Sequence, residues 1–352
     1  MALLILTPGD PQGIGPEVVW KTLQTTDARR PNILCVGARE PFDRLGAPVI
    51  EISPIELKRG MKPPRAKKPF VWLLPAPTRS NKFLPGFQAG WSIETATKLV
   101  LDRVGDALVT GPISKERLNA GGYNFPGHTE MLAALCNKHK DATLKGRRHE
   151  VTPVSGRSRP PTPVMMLAND QLRITLVTTH LALQKVPRAL NAKNITQTIE
   201  TTATSLREWW GIAKPRIAVA ALNPHAGEGG MFGTEEKRVI TPAIEALRRR
   251  ARGKYAIEGP LPADTLFANH IMANNAGKPA YDAVVCMYHD QGLVPVKLLD
   301  FPRTVNVTLG LPIVRTSVDH GTGFDIVGKG IADPSSLQSA IQLATHIVRN
   351  RR

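Results

Sequence analysis

Long apolar runs are missing from this chain of 352 residues. None approaches the roughly 20 residues a membrane span needs, so no membrane-spanning segment is expected. The opening MALLILTPGD carries neither a basic leader nor a small-residue cleavage site, and a cytoplasmic location is the expectation. Cysteine is scarce: Cys35, Cys136 and Cys286 lack paired spacing, and two of them sit in or beside strand-like apolar runs. That favours buried thiols over disulfide bridges and fits a reducing compartment. Aromatic residues make up 5% of the chain, too few for the base-stacking platforms of single-strand binders. Neither GxGxxG nor GxxxxGK[ST] occurs as a strand-to-helix turn, which disfavours a standard Rossmann or P-loop nucleotide site.

Acidic residues are also in deficit, 29 against 46 Lys and Arg, giving a net charge of +17. The excess is localised. Lys58 to Lys68 (KRGMKPPRAKK) carries +6, and Lys138 to Arg159 has seven Lys or Arg against Asp141 and Glu150. Both stretches contain or abut Pro and Gly and read as solvated loops, with a polyanion-binding surface as the minority alternative. A nucleic-acid partner is disfavoured, because cations on an organised face interleaved with aromatics are not found.

What is present is a 42% apolar fraction, enough for a real core, and a regular alternation of elements. ALLILT, NILCVG, DALVTG, VMMLA, RITLVTTH, RIAVAALNPH and DAVVCMYHD are candidate strands, mostly without polar alternation, as in sheets covered on both faces. Helical patterns lie between them: Gln88 to Arg103, Ala192 to Trp210 with Ile195, Ile199, Leu206 and Trp210 on one side, Glu235 to Lys254, and Ser335 to Asn350. The alternation predicts a parallel α/β architecture. No repeat and no long linker occurs, so two lobes interleaved along the chain are expected, with both termini in one lobe.

Three of the strand candidates end in the same way, at His180, His225 and His289. In open parallel sheets the carboxyl ends of strands face the binding crevice, so residues distant in sequence converge there. Three neutral imidazoles suit a divalent cation that keeps open positions, although each alone also reads as a hydrogen-bonded strand end. Asp290 and Asp264 are candidates for orienting a ligand imidazole, or for capping helices.

Other stretches also carry chemistry. TPGDPQGIGPEV, with Gly13 and Gly15, is a shaped loop after the first strand, and Pro16-Glu17 suits a helix start. NFPGHTE places His128 and Thr129 after a Pro-Gly turn, either as a helix cap or as an anchor for anionic oxygens. Lys297 and Arg315 are each an ordinary surface charge or, together with Asn306 in its strand-like segment, a site for a phosphate or carboxylate. The Gly-rich SVDHGTGFDIVGKGIADPSS offers His320, Gly321 and Asp325 as cofactor contacts or turn stabilisers.

Taken in order, GDPQGIGPEV, TGPISK, FPGHTE, TTH, NPHAGEGG, GPLPADTLF, YHDQGLVPVK and VNVTLGLPIVRTSVDHGT closely resemble the 4-hydroxythreonine-4-phosphate dehydrogenase family of vitamin B6 biosynthesis. The resemblance implies a two-lobed α/β/α subunit with mostly parallel sheets, like the isocitrate and isopropylmalate dehydrogenases, with its active site in the interlobe cleft. Residues 1–125 with 305–352 would form the lobe holding much of the cofactor site, and 126–304 the lobe with the metal ligands and dimer interface. It implies a homodimer with a shared active site, NAD or NADP, and one divalent ion per site, Zn, Co or Mg. His180, His225 and His289 match the family's metal ligands; His128, Thr129, Lys297, Asn306 and Arg315 match its contacts to a small phosphorylated amino-acid substrate. Gly13, Gly15, His320, Gly321 and Asp325 fall to the cofactor, and Lys115, Asp264 and Asp290 are the catalytic candidates. The implied reaction oxidises 4-phosphooxy-L-threonine to 2-amino-3-oxo-4-phosphooxybutanoate, which loses CO2 to give 3-amino-2-oxopropyl phosphate. A paralogue acting on 4-phospho-threonate or 4-phospho-erythronate is the nearest rival, and a three-His hydrolase a more distant one. The chain departs from the family in KHKDATLKGRRHEVTPVSGRSRPPTP, a basic excursion read as a surface loop rather than a flap over the substrate.

Overall fold

The computed structural model describes residues 2–25, 31–58, 63, 64, 66, 68–146 and 162–351. Much of both basic stretches, including 147–161 of the second, lies outside the described residues, and with it the question of loop or flap. Twelve strands are described in chain order. They are β1 (Leu3–Thr7), β2 (Asn32–Gly37), β3 (Val49–Glu51), β4 (Val71–Pro75), β5 (Ala107–Thr110) and β6 (Val164–Ala168). There follow β7 (Arg173–Leu176), β8 (Arg216–Ala220), β9 (Ala256–Leu261), β10 (Ala283–Cys286), β11 (Val305–Leu309) and β12 (Arg315–Ser317).

The chain forms two units, one from Met1–Pro163 and Leu311–Arg349, the other from Val164–Gly310 and Asn350–Arg352. The first crossing comes later than the sequence reading places it, because 126–163 stays with the first unit. The reason is packing: the helix His128–Gly146 sets Met131, Leu132 and Cys136 into that unit's core beside Ile93 and Leu118. The second crossing also shifts, since β11 pairs with β6 of the second unit.

In the first unit the strand order is β3-β4-β2-β1-β5-β12, and every pairing is parallel. Leu4, Ile5 and Leu6 of β1 are all buried, which explains a strand without polar alternation. The helix Leu84–Leu101 covers one face through Ile93, Ala96 and Val100. It meets the turn after the helix Lys115–Ala120 at bare backbone. A Cβ on Gly86 would stand 1.7 Å from the Arg117 carbonyl oxygen, and one on Gly121 would stand 2.2 Å from the Phe87 nitrogen. The C-terminal helix Ser335–Asn350 has the extent read from its periodicity.

In the second unit the order is β11-β6-β7-β10-β8-β9. Here β6 runs antiparallel to both β7 and β11, a departure from the parallel expectation for VMMLA. Only four residues, Asn169 to Leu172, join β6 to β7, too few for a crossover, and Asn169 Oδ1 closes the turn on the Gln171 and Leu172 amides. The helix Ala192–Trp210 starts from a reciprocal Asn191–Asn194 capping box and stops at Gly211, which has φ 69°. Trp209 rather than Trp210 is its fully buried tryptophan, and Arg173 lies over the Trp210 ring. The single helix expected over Glu235 to Lys254 is divided into a π-helical turn, Glu236–Ile240, and a helix, Thr241–Ala251. Pro242 lacks the amide that an unbroken ladder would need. No described helix is long and apolar enough to cross a membrane, and all three cysteines are free and buried.

Substituting Gly86→Ala should destabilise the protein by about 1–3 kcal/mol, because the new methyl must displace backbone rather than a side chain. Urea unfolding followed by circular dichroism reads this, and an unchanged midpoint would contradict the close approach.

Candidate active site

In the second unit β10 hydrogen-bonds on one side to β7 and on the other to β8, both in parallel. The three strands therefore end on one edge, and His180, His289 and His225 each follow one of those ends. The β7–β10 ladder continues past the strands: Val177 N donates to Cys286 O, and Thr178 Oγ1 donates to Met287 O at 2.7 Å. This brings the His180 and His289 rings to 5.6 Å between centroids. Gln291, the last residue of the polar triplet that ends the β10 run, fixes the other side. Its Oε1 accepts from Met287 N at 2.7 Å and its Nε2 donates to Ala221 O at 2.5 Å, joining the ends of β10 and β8.

His289 opens the helix His289–Asp300, and its Nδ1 lies 2.7 Å from Asp290 Oδ1. A carboxylate there holds the proton on Nδ1 and presents Nε2 as the donor, the arrangement that metal-bound histidines use. Asp264 is exposed in the first turn of the helix Ala263–Asn275, where a carboxylate favours the helix dipole. His225 is reached by an unusual backbone. Residues 225–230 all have positive φ, from 40° at Glu228 to 113° at Gly230. For the L-residues His225, Ala226 and Glu228 this conformation costs about 1–2 kcal/mol each. NPHAGEGG signals a tight turn, but its glycines do not reveal that the non-glycine residues share the left-handed conformation.

The donor chemistry fits a divalent ion, since neutral imidazoles serve Zn and Co and a carboxylate already orients one of them. Among the described residues no three His, Cys, Asp or Glu side chains are gathered so as to hold a metal ion. His180 and His225 are both exposed, and the ring near His225 is that of Phe232, at 6.1 Å. In the same unit Lys297 Nζ lies 5.3 Å from the Phe301 ring, and Asn306 sits half-buried on β11.

The first unit gathers a second cluster. Arg315 on β12 is 2% exposed, and its Nε and Nη2 donate to Thr110 Oγ1 at 3.1 and 2.7 Å. Thr110 Oγ1 donates to Ser317 Oγ, which donates to Thr110 O. Burial lowers the guanidinium to about 9, still high enough to stay charged at neutral pH. Thr110 and Ser317 thus aim the cation, and only their place in short strands links them to it. His128 is the first residue of its helix, one position earlier than the start read at Thr129. Its Nε2 is shielded and has no hydrogen-bond partner among the described residues. Burial first, and then the Arg315 charge, hold His128 well below the ordinary imidazole range. Lys115, exposed at the start of the helix Lys115–Ala120, passes beside Gly127: a Cβ there would lie 3.7 Å from Lys115 Cε.

The Gly-rich segment after β12 is pinned to the N-terminal loop. Ile14 N donates to Thr322 O, Lys21 Nζ donates to Gly330 O and Ala332 O, and Glu17 Oε1 accepts from Ala332 N. Arg117 joins both by donating to Gln12 Oε1 and stacking 4.0 Å above Phe324. Gly13 and Gly15 are explained by this packing, since their Cβ atoms would meet Thr322 O at 2.8 Å and Pro8 O at 1.8 Å. Gly321, in contrast, faces open space, and Asp325 is exposed. Thr7 Oγ1, Asp10 Oδ2 and His320 Nε2 are shielded polar atoms, without partners among the described residues, near the carboxyl ends of β1 and β12. Buried polar atoms are normally paired, so a polar cofactor fits this loop.

The model of the pyridoxal phosphate biosynthetic protein PdxA family matches residues 85–344. The chain belongs to the PdxA family. A Caulobacter vibrioides relative named 4-hydroxythreonine-4-phosphate dehydrogenase is 44% identical over 99% of this chain and 98% of its own length. A Cupriavidus necator relative named D-threonate 4-phosphate dehydrogenase is 41% identical over 98% of this chain and 97% of its own. The crystal structure of 4-hydroxythreonine-4-phosphate dehydrogenase from Klebsiella pneumoniae superposes with a TM-score of 0.80. It is 34% identical and covers 99% of this chain and 100% of its own.

Desolvation of the half-buried His128 ring predicts an acid sensitivity for this protein. The unfolded chain takes up a proton on His128 near pH 6.5 while the folded state resists it, so stability is lost as pH falls below about 6.5. His270, lowered first by desolvation, acts in the same direction. Urea midpoints should fall from pH 7 to pH 5, and less steeply in His128→Gln; equal slopes would contradict the environment described for this ring.

Proposed function

We propose that the chain is an NAD(P)-dependent, divalent-metal-dependent dehydrogenase that oxidises 4-phosphooxy-L-threonine to 2-amino-3-oxo-4-phosphooxybutanoate. Loss of CO2 from that product gives 3-amino-2-oxopropyl phosphate, on the route to pyridoxal phosphate. The observation that carries this reading is the pair His180 and His289, at the ends of adjacent parallel strands with Asp290 on the second ring, in a member of this family. A divalent ion held by these histidines would supply a Lewis acid for the reacting alcohol, and a nicotinamide cofactor would supply the hydride acceptor.

The chain's own residues do the rest. His180, His225 and His289 hold the ion. Asp290 is committed to orienting His289, which leaves Lys115 and Asp264 as the candidates for receiving the alcohol proton. Arg315, aimed by Thr110, supplies a fixed cation for an anionic substrate group, and His128, Thr129, Lys297 and Asn306 complete the anchoring. His320, Gly321 and Asp325 take the cofactor, with Gly13 and Gly15 shaping the loop beneath it. The buried free thiols fit a reducing, cytoplasmic setting.

The purified protein with Co2+ or Zn2+ should reduce NAD+ or NADP+ on addition of 4-phosphooxy-L-threonine. Activity should vanish after chelation and return with metal, and His180→Ala should lower kcat/KM by more than about 100-fold. The Cupriavidus necator relative favours one second reading, D-threonate 4-phosphate as substrate, so both compounds are assayed. Failure of both to support reduction in metal-loaded protein would overturn the assignment.

The same reading includes a homodimer. The helix that begins at His289 exposes Val294, Leu298 and, just beyond its end, Phe301, a stripe at helical spacing with Leu298 82% exposed. A second copy covers this stripe and completes the metal set. Leu298→Asp should shift the sedimentation coefficient to that of a monomer; an unchanged value would remove this face from the interface.

A further inference from the structure

The loop that carries His225 is built around one carboxylate. Glu236 is buried, at the start of the π-helical turn, on a segment separate from the strand that leads to the histidine. Its Oε1 accepts from both Leu222 N and Asn223 N at 2.8 Å. Its Oε2 accepts from Asn223 Nδ2 at 2.9 Å, and that amide also donates to Glu235 Oε2 at 2.8 Å. The two anchored backbone amides lie between the end of β8 and His225, so the carboxylate fixes the path by which the imidazole leaves the sheet.

The inside of the left-handed turn is set by the same group. A Cβ at Gly227 would stand 2.8 Å from Glu236 Oε2 and 2.9 Å from Gly233 O. At Gly233 it would lie 2.4 Å from Asn223 Nδ2. His225, Ala226 and Glu228 would not keep positive φ by their own preference, and such a conformation persists only where its surroundings over-determine it. Glu236 supplies that constraint from within, through acceptors that no other described side chain gives to these two amides.

From this geometry we propose that Glu236 is a positioning residue for His225, holding the left-handed turn in the shape that presents the imidazole to the metal. The proposal rests on the reading of His225 as a metal ligand. Glu236 acts through the backbone of Leu222 and Asn223 and through Gly227, so its effect falls on how well His225 binds and from what direction.

The test uses metal-free full-length protein as wild type, Glu236→Gln, Glu236→Ala and His225→Ala. Each is titrated with Co2+ against a competing chelator while the ligand-field absorption is recorded. Glu236→Ala should raise the Kd for Co2+ by about 10–100-fold and change the absorption bands at saturation, because the imidazole is no longer held in place. Glu236→Gln keeps an acceptor for the two backbone amides but turns its own amide toward that of Asn223. It should fall between wild type and Glu236→Ala, and it carries the test if the alanine variant does not fold. A loss of stability alone would leave the saturated spectrum unchanged. The proposal is overturned if every folded Glu236 variant keeps the wild-type Kd and bands while His225→Ala loses binding. If His225→Ala itself keeps both, the metal reading of that residue fails, and the proposal with it.

Discussion

The position of β10 between β7 and β8 is the constraint on which the metal-binding reading depends. Its two parallel ladders force three strand ends onto one edge of the second unit. Side chains then extend what the backbone began. Thr178 ties the exit of β7 to Met287, and Gln291 ties Met287 to Ala221 at the exit of β8. The run His289, Asp290, Gln291 combines a nitrogen donor, the carboxylate that sets its tautomer, and an amide that locks the neighbouring strand ends together. A short apolar strand ends in that polar triplet because the edge of a parallel sheet is where polar groups can meet a ligand without being buried among apolar neighbours.

The first unit solves an opposite electrostatic problem. Burying a guanidinium is costly, and hydrogen bonds from Arg315 to Thr110 offset part of that cost without neutralising the charge. The residual positive potential adds to burial in keeping His128 neutral. Near that cation the Nε2 of a neutral imidazole has no partner among the described residues, and a polar group of a ligand would satisfy it. Under the proposed reading, a preference for an anionic substrate would follow from burial of Arg315 as much as from the number of positive charges. The net charge of +17 carries little of this argument, because much of it lies in the two basic stretches.

Elements with strong local signals were legible. The helices Ala192–Trp210 and Ser335–Asn350 have the extents their periodicity implies, and seven apolar runs became strands. What escaped was set by tertiary context. Short strands such as β3 and β12, at three residues each, are too brief for a periodic pattern, yet β12 carries Arg315. The antiparallel β6 looks like any buried strand until its four-residue connection is considered. The unit boundary escaped because the helix His128–Gly146 commits to the first core through residues such as Met131 and Leu132, which by type alone fit either core. In the site, the histidines were visible because metal-seeking side chains at strand ends are distinctive. The roles of Gln291, Thr110 and Glu236 were not, because these depend on which backbone or side-chain atoms the residues reach across the fold.

The absence of a gathered donor set among the described residues has a physical logic under the proposed reading. The helix that starts with a donor, His289, is also the one that exposes Val294 and Leu298. Covering that face and completing the coordination are then coupled events, since both act on one rigid element. An ion bound only by the assembled form stabilises the assembly by mass action, and assembly in turn raises the affinity for the ion. His225, reached by a left-handed turn that is costly for its side chains, is the donor whose position depends most on the surrounding protein. Under that reading, a site arranged in this way would bind metal more weakly in an isolated subunit than in an assembled pair.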